Sequence, residues 1–418
     1  MTVCSRWDEF RTAWKPLLAS SVGAACGINA IPFYTHGVFV VPVSEEFGWS
    51  RGATQFAFSF VMITAIFLAP VIGAAIDRLG ARRIGIPSVL AVAIGFALLS
   101  QTSGQITTYY ALWIFMALIG TGTNPVTWTR TVTSWFQRNR GLALGITMGG
   151  TGVVGTFAPV AAAYLIRDYT WRGAYLGLGL AIAVIGLPIL ILFFRDPEAK
   201  TQAITEDPAE SKLTSGVSEG LELRQAFSSY KFWAMGIAML LICGSVAGLI
   251  TNLVPLLTDK GLERTNAAGY AAMIGASVII GRLLAGYLID MIWAPGVAFV
   301  FLIAPAISCF ILTGDSTSPT LLLIAVPLIG LAAGAELDML AFLTAKYFGI
   351  KNYGVLYGIQ FGFFSIGSGF APAIFGSVFD IYGDYQPILF ISAACFVAGA
   401  LLILTMGRYP SVTPETAV

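Results

Sequence analysis

Charge is what this 418-residue chain has least of. Asp, Glu, Lys and Arg make up 11% of it, against about 25% in a soluble domain. Hydrophobic residues make up 57% and the mean hydropathy is +0.81, so water is not the main solvent. Basic and acidic residues nearly cancel, 23 against 22, for a net charge of +1. That balance excludes nucleic acid as a partner. Histidine occurs once, at His36. The five cysteines are odd in number and form no CxxC pair, which excludes a disulfide framework and a cysteine metal site. Cys26, Cys243, Cys309 and Cys395 lie in apolar runs, where a thiol acts as a small hydrophobe. No HExxH, GxSxG or paired catalytic constellation occurs, and no soluble signalling domain is attached. An enzyme, a sensor and a cofactor are therefore not expected. Residues Met1 to Lys15 are polar and mixed in charge, with no short apolar stretch and cleavage site behind them. No removable signal peptide is expected.

Long apolar runs are abundant. A spanning helix needs about 20 apolar residues, and the chain predicts twelve spans. Six lie at 16–43, 53–76, 84–102, 108–136, 141–165 and 173–195. Six more lie at 232–257, 266–289, 296–314, 320–345, 354–379 and 387–407. The long break, 196–231, mixes Glu206, Asp207, Glu210, Lys212, Glu219, Glu222 and Arg224 with Ser, Thr and Gly. Its composition is that of a linker, with a short surface helix near 219–229. The expected units are a bundle at 1–195, the linker at 196–231 and a bundle at 232–418. Sixteen lysines and arginines fall on the side of the N-terminus, five fall on the other side, and two, Arg130 and Arg282, lie within spans. This asymmetry places both termini and the linker in the cytoplasm. The compact loops suit a bacterial inner membrane.

The chain also repeats itself at a constant offset of 213 residues. Pro42 falls on Pro255, Gly48 on Gly261, Arg51 on Arg264, Gly73 on Gly286 and Asp77 on Asp290. Farther on, Gly141 falls on Gly354, Gly145 on Gly358 and Pro159 on Pro372. Two tandem halves in an apolar chain predict a pseudo-symmetric all-α membrane protein with its working site between the halves.

Between spans two and three stands Gly73-Ala-Ala-Ile-Asp77-Arg78-Leu-Gly80-Ala-Arg82-Arg83. Its glycines permit close helix approach, and its acid can cap a helix or pair with a base. The segment resembles the G-x-x-x-D-R-x-G-R-R/K signature of the major facilitator superfamily, a gating and structural motif. The second copy keeps Gly286 and Asp290 and loses the basic tail. Spans five and eleven carry glycines and Pro159 and Pro372, which permit tight packing or bending. Gly48-Trp49-Ser50-Arg51, the segment from Trp135 to Gly145 and Asn352-Tyr353-Gly354 through Gly358 resemble the monocarboxylate porter and oxalate/formate antiporter branch. The resemblance covers the whole chain and implies the twelve-helix fold of two six-helix bundles.

Function is expected where the repeat fails. Ala69 corresponds to Arg282, Thr123 to Glu336 and Pro125 to Asp338. Arg282 lies about 24 Å into span eight at ~1.5 Å per residue. Glu336 and Asp338 lie at similar depth in span ten. A charge at the membrane centre costs about 2.5–3.5 kcal/mol on insertion scales, so such a cluster must pair internally or face a wet cavity. One reading is a structural Arg282–Asp338 pair; the other is an arginine that binds a carboxylate through its planar fork. In the resembled branch an arginine of span eight binds the anion. The lysine that oxalate antiporters carry in span eleven is absent, and Gln360 stands among Phe361, Phe363 and Phe364. One fixed cation fits a monoanion with apolar or aromatic bulk. The lysine of monocarboxylate porters in span one is replaced by Tyr34 and His36, and their acid before the arginine is missing. Glu336 and Asp338 therefore stand as proton-coupling candidates, with His36 as a third or as a packing residue. Asn124 and Asn252 complete the candidate pocket. The expected function is secondary transport of an organic monocarboxylate with proton symport or anion exchange, by a monomer in the lipid bilayer. The alternative is efflux of amphipathic small molecules.

Overall fold

No water hydrogen-bonds the backbone inside a bilayer, so spanning segments become helices. A computed structural model describes residues 8–136, 139–196, 221–314, 317–349 and 351–409. Residues 197–220, most of the expected linker, lie outside the described residues. The first half contains α1 (Asp8–Ala25), α2 (Ile31–Phe47), α3 (Arg51–Leu79), α4 (Ala81–Leu99), α5 (Ile106–Gly120), α6 (Pro125–Trp135), α7 (Arg140–Ala181) and α8 (Leu187–Phe193). The second half contains α9 (Leu223–Ser228), α10 (Tyr230–Asp259), α11 (Arg264–Met291), α12 (Ala294–Thr313), α13 (Pro319–Phe348), α14 (Tyr353–Tyr382) and α15 (Gln386–Thr405).

Among the described residues, 10 helical stretches are long and apolar enough to cross a membrane. One of them, Gly141–Phe193, has 53 residues. At ~1.5 Å per residue it would be roughly 80 Å long, far more than the ~30 Å hydrocarbon core. It turns back at Thr170, whose φ of 68° is not helical. Leu165 consequently meets Gly177 across the hairpin. This stretch supplies the fifth and sixth crossings. The first crossing is divided between α1 and α2, which completes twelve.

Two crossings expected to be continuous are broken. The span 16–43 is interrupted at residues 26–30, and 108–136 is interrupted after Gly120. Pro32 and Pro125 sit in the first turn of the helices that resume, where a missing N–H costs nothing. The breaks are stitched together: Ile28 N donates to Thr123 Oγ1 at 2.9 Å and Asn29 Nδ2 to Asn124 Oδ1 at 2.7 Å. Trp128 Nε1 adds a bond to Thr123 O at 2.9 Å. Their counterparts in the second half, α10 and α13, run unbroken.

The halves meet near one face of the bundle, opposite the face from which α1 starts. There α3 packs on α14, α7 on α11 and α2 on α10. The α7–α11 contact is backbone to backbone: a Cβ on Gly275 would lie 2.2 Å from Thr156 N and 2.3 Å from Gly155 C. Only glycine allows this approach. Arg51, Gln55 and Ser59, along one stripe of α3, bond Asp259, Asn252 and Gly369 of the second half.

At the near face the signature segment forms a tight corner. Gly80 has φ +88°, and a Cβ there would come within 2.6 Å of Asp196 Oδ2. Arg82 N donates to the Asp196 carboxylate at 3.1 Å, and its guanidinium donates to Ile191 O at 2.6 Å and to Phe194 O. Arg82 thereby caps the orphan carbonyls ending α8. Arg78 and Arg83 are exposed. The close helix approach expected at Gly73 is not made, because nothing lies within 4 Å of a Cβ there or at Gly286. The side chains of Asp77 and Asp290 lie outside the described residues. The short helix expected near 219–229 is α9, held by Leu221 N to Phe348 O at 2.9 Å and by Lys351 to Glu222 at 3.3 Å.

Candidate functional site

Helix register brings the three charges that break the repeat together. Helices α11 and α13 pack along their length through Gly281, Gly330 and Gly334, whose missing side chains let the backbones touch. That contact places Arg282 of α11 against α13 at the level of Glu336 and Asp338. Arg282 Nε lies 3.3 Å from Asp338 Oδ2. The pair is one-sided: Arg282 Nε and Nη1 are buried and neither has a hydrogen-bond partner. The Arg282 side chain is 13% exposed and that of Asp338 39%. A guanidinium carries five donors in a planar fork, and this one has donors to spare.

The two acids are not equivalent. Their i, i+2 spacing turns them to different faces of α13. Glu336 is 7% exposed, and its Oε2 has no hydrogen-bond partner. Cys243 of α10 lies beside it, with its thiol donating to Met239 Sδ at 3.9 Å. Asp338 faces Arg282 and lies within electrostatic range of Tyr357 of α14. Tyr357 belongs to a ladder of rings: it stacks on Tyr353 at 5.5 Å and on Phe361 at 6.3 Å, and Phe361 stacks on Phe364 at 5.2 Å. From the first half, Tyr34 lies within electrostatic range of both Arg282 and Glu336. Its ring is wedged beside Gly155 where α7 crosses Gly275. The cluster thus draws on α2, α10, α11, α13 and α14, and it spans the two halves.

Four expected pocket residues are placed elsewhere by their contacts. His36 is 2% exposed, packs edge-on against Trp113 at 5.1 Å and faces Phe58, inside the first half. Asn124 bonds Asn29 at the helix breaks. Asn252 bonds Gln55 across the halves at 2.5 Å. Gln360 Nε2 donates to Phe232 O at 2.8 Å, tying α14 to α10. Cys243 and Tyr357 were missed. No charge marks them, although the i, i+4 recurrence of Tyr353, Tyr357 and Phe361 was a visible signal. Among the described residues no group of His, Cys, Asp and Glu is placed to hold a metal ion.

The cluster resembles the charged midplane site of a transporter built from two repeats. The chain is 26% identical to an uncharacterised MFS-type transporter of Bacillus subtilis, YcxA, over 93% of this chain and 92% of that protein. It is 25% identical to human monocarboxylate transporter 11 over 96% of this chain and 85% of that one. Among solved structures, a D-xylose–proton symporter superposes with a TM-score of 0.74 at 14% identity, covering 95% of this chain and 98% of that one. The nucleoside transporter NupG superposes with a TM-score of 0.71 at 14% identity, covering 94% and 99%. The sequence profile of the Major Facilitator Superfamily matches residues 22–372, and the chain belongs to that family of multi-pass membrane transporters, which are not enzymes.

Proposed function

We propose that this transporter carries an organic monocarboxylate by alternating access, with Arg282 as the anion-binding group. One observation carries the reading: Arg282 is a buried guanidinium whose Nε and Nη1 lack hydrogen-bond partners, ion-paired with one partly exposed acid. An incoming carboxylate can pair with the guanidinium through Nη2 and one of these two donors, the bidentate geometry in which arginine binds carboxylate best. Asp338 then acts as the resident counter-ion that an anion replaces. Glu336, buried and with a free Oε2, is the better proton carrier of the two acids. One fixed cation suits a monoanion, and the Tyr357–Phe361 ladder offers a face for an apolar or aromatic body. The similarity to monocarboxylate transporters 11 and 13 supports the substrate class.

The units that rock are residues 1–195 and 232–418, joined by 196–231, in a monomer. The near face, where the sequence concentrates lysine and arginine, is the cytoplasmic one. Uptake of labelled monocarboxylates into proteoliposomes tests the assignment. Arg282→Ala is expected to abolish uptake and Arg282→Lys to keep a fraction of it. Full uptake by both variants would refute the role of Arg282. An inward proton gradient is expected to accelerate uptake by the unaltered protein, and Glu336→Gln is expected to remove that acceleration. Indifference of the unaltered protein to the gradient would leave exchange or uniport.

A further inference from the structure

We infer that Arg51 is the latch of the far-face gate and that the gate is asymmetric, with a directly bonded seam on one side and a glycine pivot on the other. Arg51 begins α3, in the first half, and every polar partner of its guanidinium belongs to the second half. That guanidinium forms an ion pair with Asp259 at the end of α10, with Nη2 to Oδ1 at 2.9 Å. Nη1 donates to Tyr385 Oη at 3.2 Å, and the guanidinium carbon lies 3.8 Å over the Phe379 ring. The backbone takes part too. Arg51 N and Gly52 N donate to the two oxygens of Asp380 at 2.9 and 2.8 Å. A carboxylate of one half thus sits on the positive N-terminus of a helix from the other.

Beneath this charged layer the same stripe of α3 continues the seam. Gln55 and Asn252 exchange amide bonds at 2.5 and 3.2 Å. Ser59 Oγ donates to Gly369 O at 2.6 Å. All of these bonds join the halves, so none survives if the far face opens.

The repeat makes the asymmetry explicit. At the offset of 213, Arg51 corresponds to Arg264, but most of its partners do not correspond in kind. Asp380 is replaced by Arg167 and Tyr385 by Arg172. Gln55 and Ser59 are replaced by Ala268 and Ala272, and Asn252 by Phe39. Glu46, the counterpart of Asp259, is occupied within its own half by Arg172 and Trp171. The second seam instead makes its close contact through backbone, where Gly275 meets Gly152, Gly155 and Thr156; Glu45 and Glu263 face Arg264 and Arg167 across it only at longer electrostatic range. Such a contact slides or pivots without breaking a polar bond, whereas the Arg51 seam must break several.

The latch is also open to solvent. A cavity of about 490 Å³ on the far face is lined by Asp259, Phe379 and Tyr385 together with Lys260, Asp384 and Gln386. Ions reaching Asp259 screen the pair, so added salt loosens it.

The test reads gate opening directly and needs no substrate. Spin labels go on Ser103→Cys and Thr320→Cys, exposed positions on far-face ends of the two halves, and pulsed electron resonance measures their separation in the purified full-length chain. The unaltered gate is expected to give mainly the short distance. Arg51→Ala, and separately Asp259→Asn, should raise the ratio of long to short distances about tenfold, the effect of losing charge-assisted bonds in one of two states. Arg51→Lys should fall between. Arg264→Ala, the repeat-related change, should leave the ratio within about twofold. An unchanged distribution in Arg51→Ala and Asp259→Asn, or equal opening by Arg264→Ala, overturns the latch. Because no substrate is present, the outcome is independent of the carboxylate assignment.

Discussion

Thr123 and Pro125 of the first half stand where Glu336 and Asp338 stand in the second. At that level the first half interrupts two helices and ties the loose ends together through Thr123, Asn124, Ile28 and Asn29. The second half keeps its helices whole and mounts charges on them. Both solve one problem, polar groups at membrane depth, by different chemistry. A broken helix offers backbone dipoles that neighbours can satisfy in place. A buried charge needs a counter-charge and a rigid support that fixes its distance. The glycine-tight packing of α11 on α13 supplies that support, since it leaves Arg282 little freedom relative to Asp338. The difference teaches that duplication set the scaffold, while the Arg282, Glu336 and Asp338 charges were added on the second half only.

The strongest way to break this comparison is to remove the charge on the second half. Arg282→Ala should reduce the initial rate of carboxylate uptake at least about 100-fold, equivalent to ~2.7 kcal/mol. A change on the first half at the same level, Asn124→Ala, should leave substrate affinity near its original value and mainly lower stability. A loss of uptake from Asn124→Ala as large as that from Arg282→Ala would show that both halves hold the substrate.

Gly275→Val comes next. Its side chain would collide with the backbone of Gly155 and Thr156, and overpacking of this kind costs about 1–3 kcal/mol. A fall in the melting temperature in detergent is expected. Gly362→Ala, on α14, the repeat counterpart of α7, meets nothing within 4 Å and should shift stability by less than about 0.5 kcal/mol. Equal effects at the two glycines would mean that the α7–α11 contact is not a true seam.

Smaller effects sharpen the stitched breaks and the hairpin turns. Asn124→Ala removes the bond from Asn29 and should cost about 1 kcal/mol, read as a lower unfolding midpoint. Thr170 and Gly383 occupy the same place in the repeat, with φ of 68° and 69°. Glycine adopts this conformation freely and threonine does not. Thr170→Gly should therefore raise the melting temperature, by the equivalent of about 1 kcal/mol. A drop would show that the threonine side chain is needed there.

Much of this architecture was legible in the residues, and particular failures show where legibility ends. Apolar run length located the crossings, because a bilayer leaves few alternatives to a helix. It did not reveal the breaks at 26–30 and after Gly120, since Gly27, Pro32, Gly122 and Pro125 sit in runs whose hydrophobicity alone would span. Offset mismatches marked Arg282, Glu336 and Asp338, since unpaired charges in lipid are costly enough to be rare. His36, Asn124, Asn252 and Gln360 also lie inside spans, yet each faces a neighbour outside the cluster. Position along a helix fixes depth, but azimuth decides whether a side chain meets the cavity, the other half or its own core.

The sequence by itself determined the solvent, the number of crossings, the two-fold repeat and the charges that violate it. These are one-dimensional properties: length, composition and spacing suffice because the membrane imposes one geometry on every apolar run. Only the tertiary structure decided that Asp338 faces Arg282 while Glu336 turns to Cys243. It alone gave Arg51, whose motif is repeated at Arg264, a set of partners its counterpart lacks. Such choices depend on which helix faces meet across the two halves, and a helix carries no record in its own residues of the neighbour it will touch.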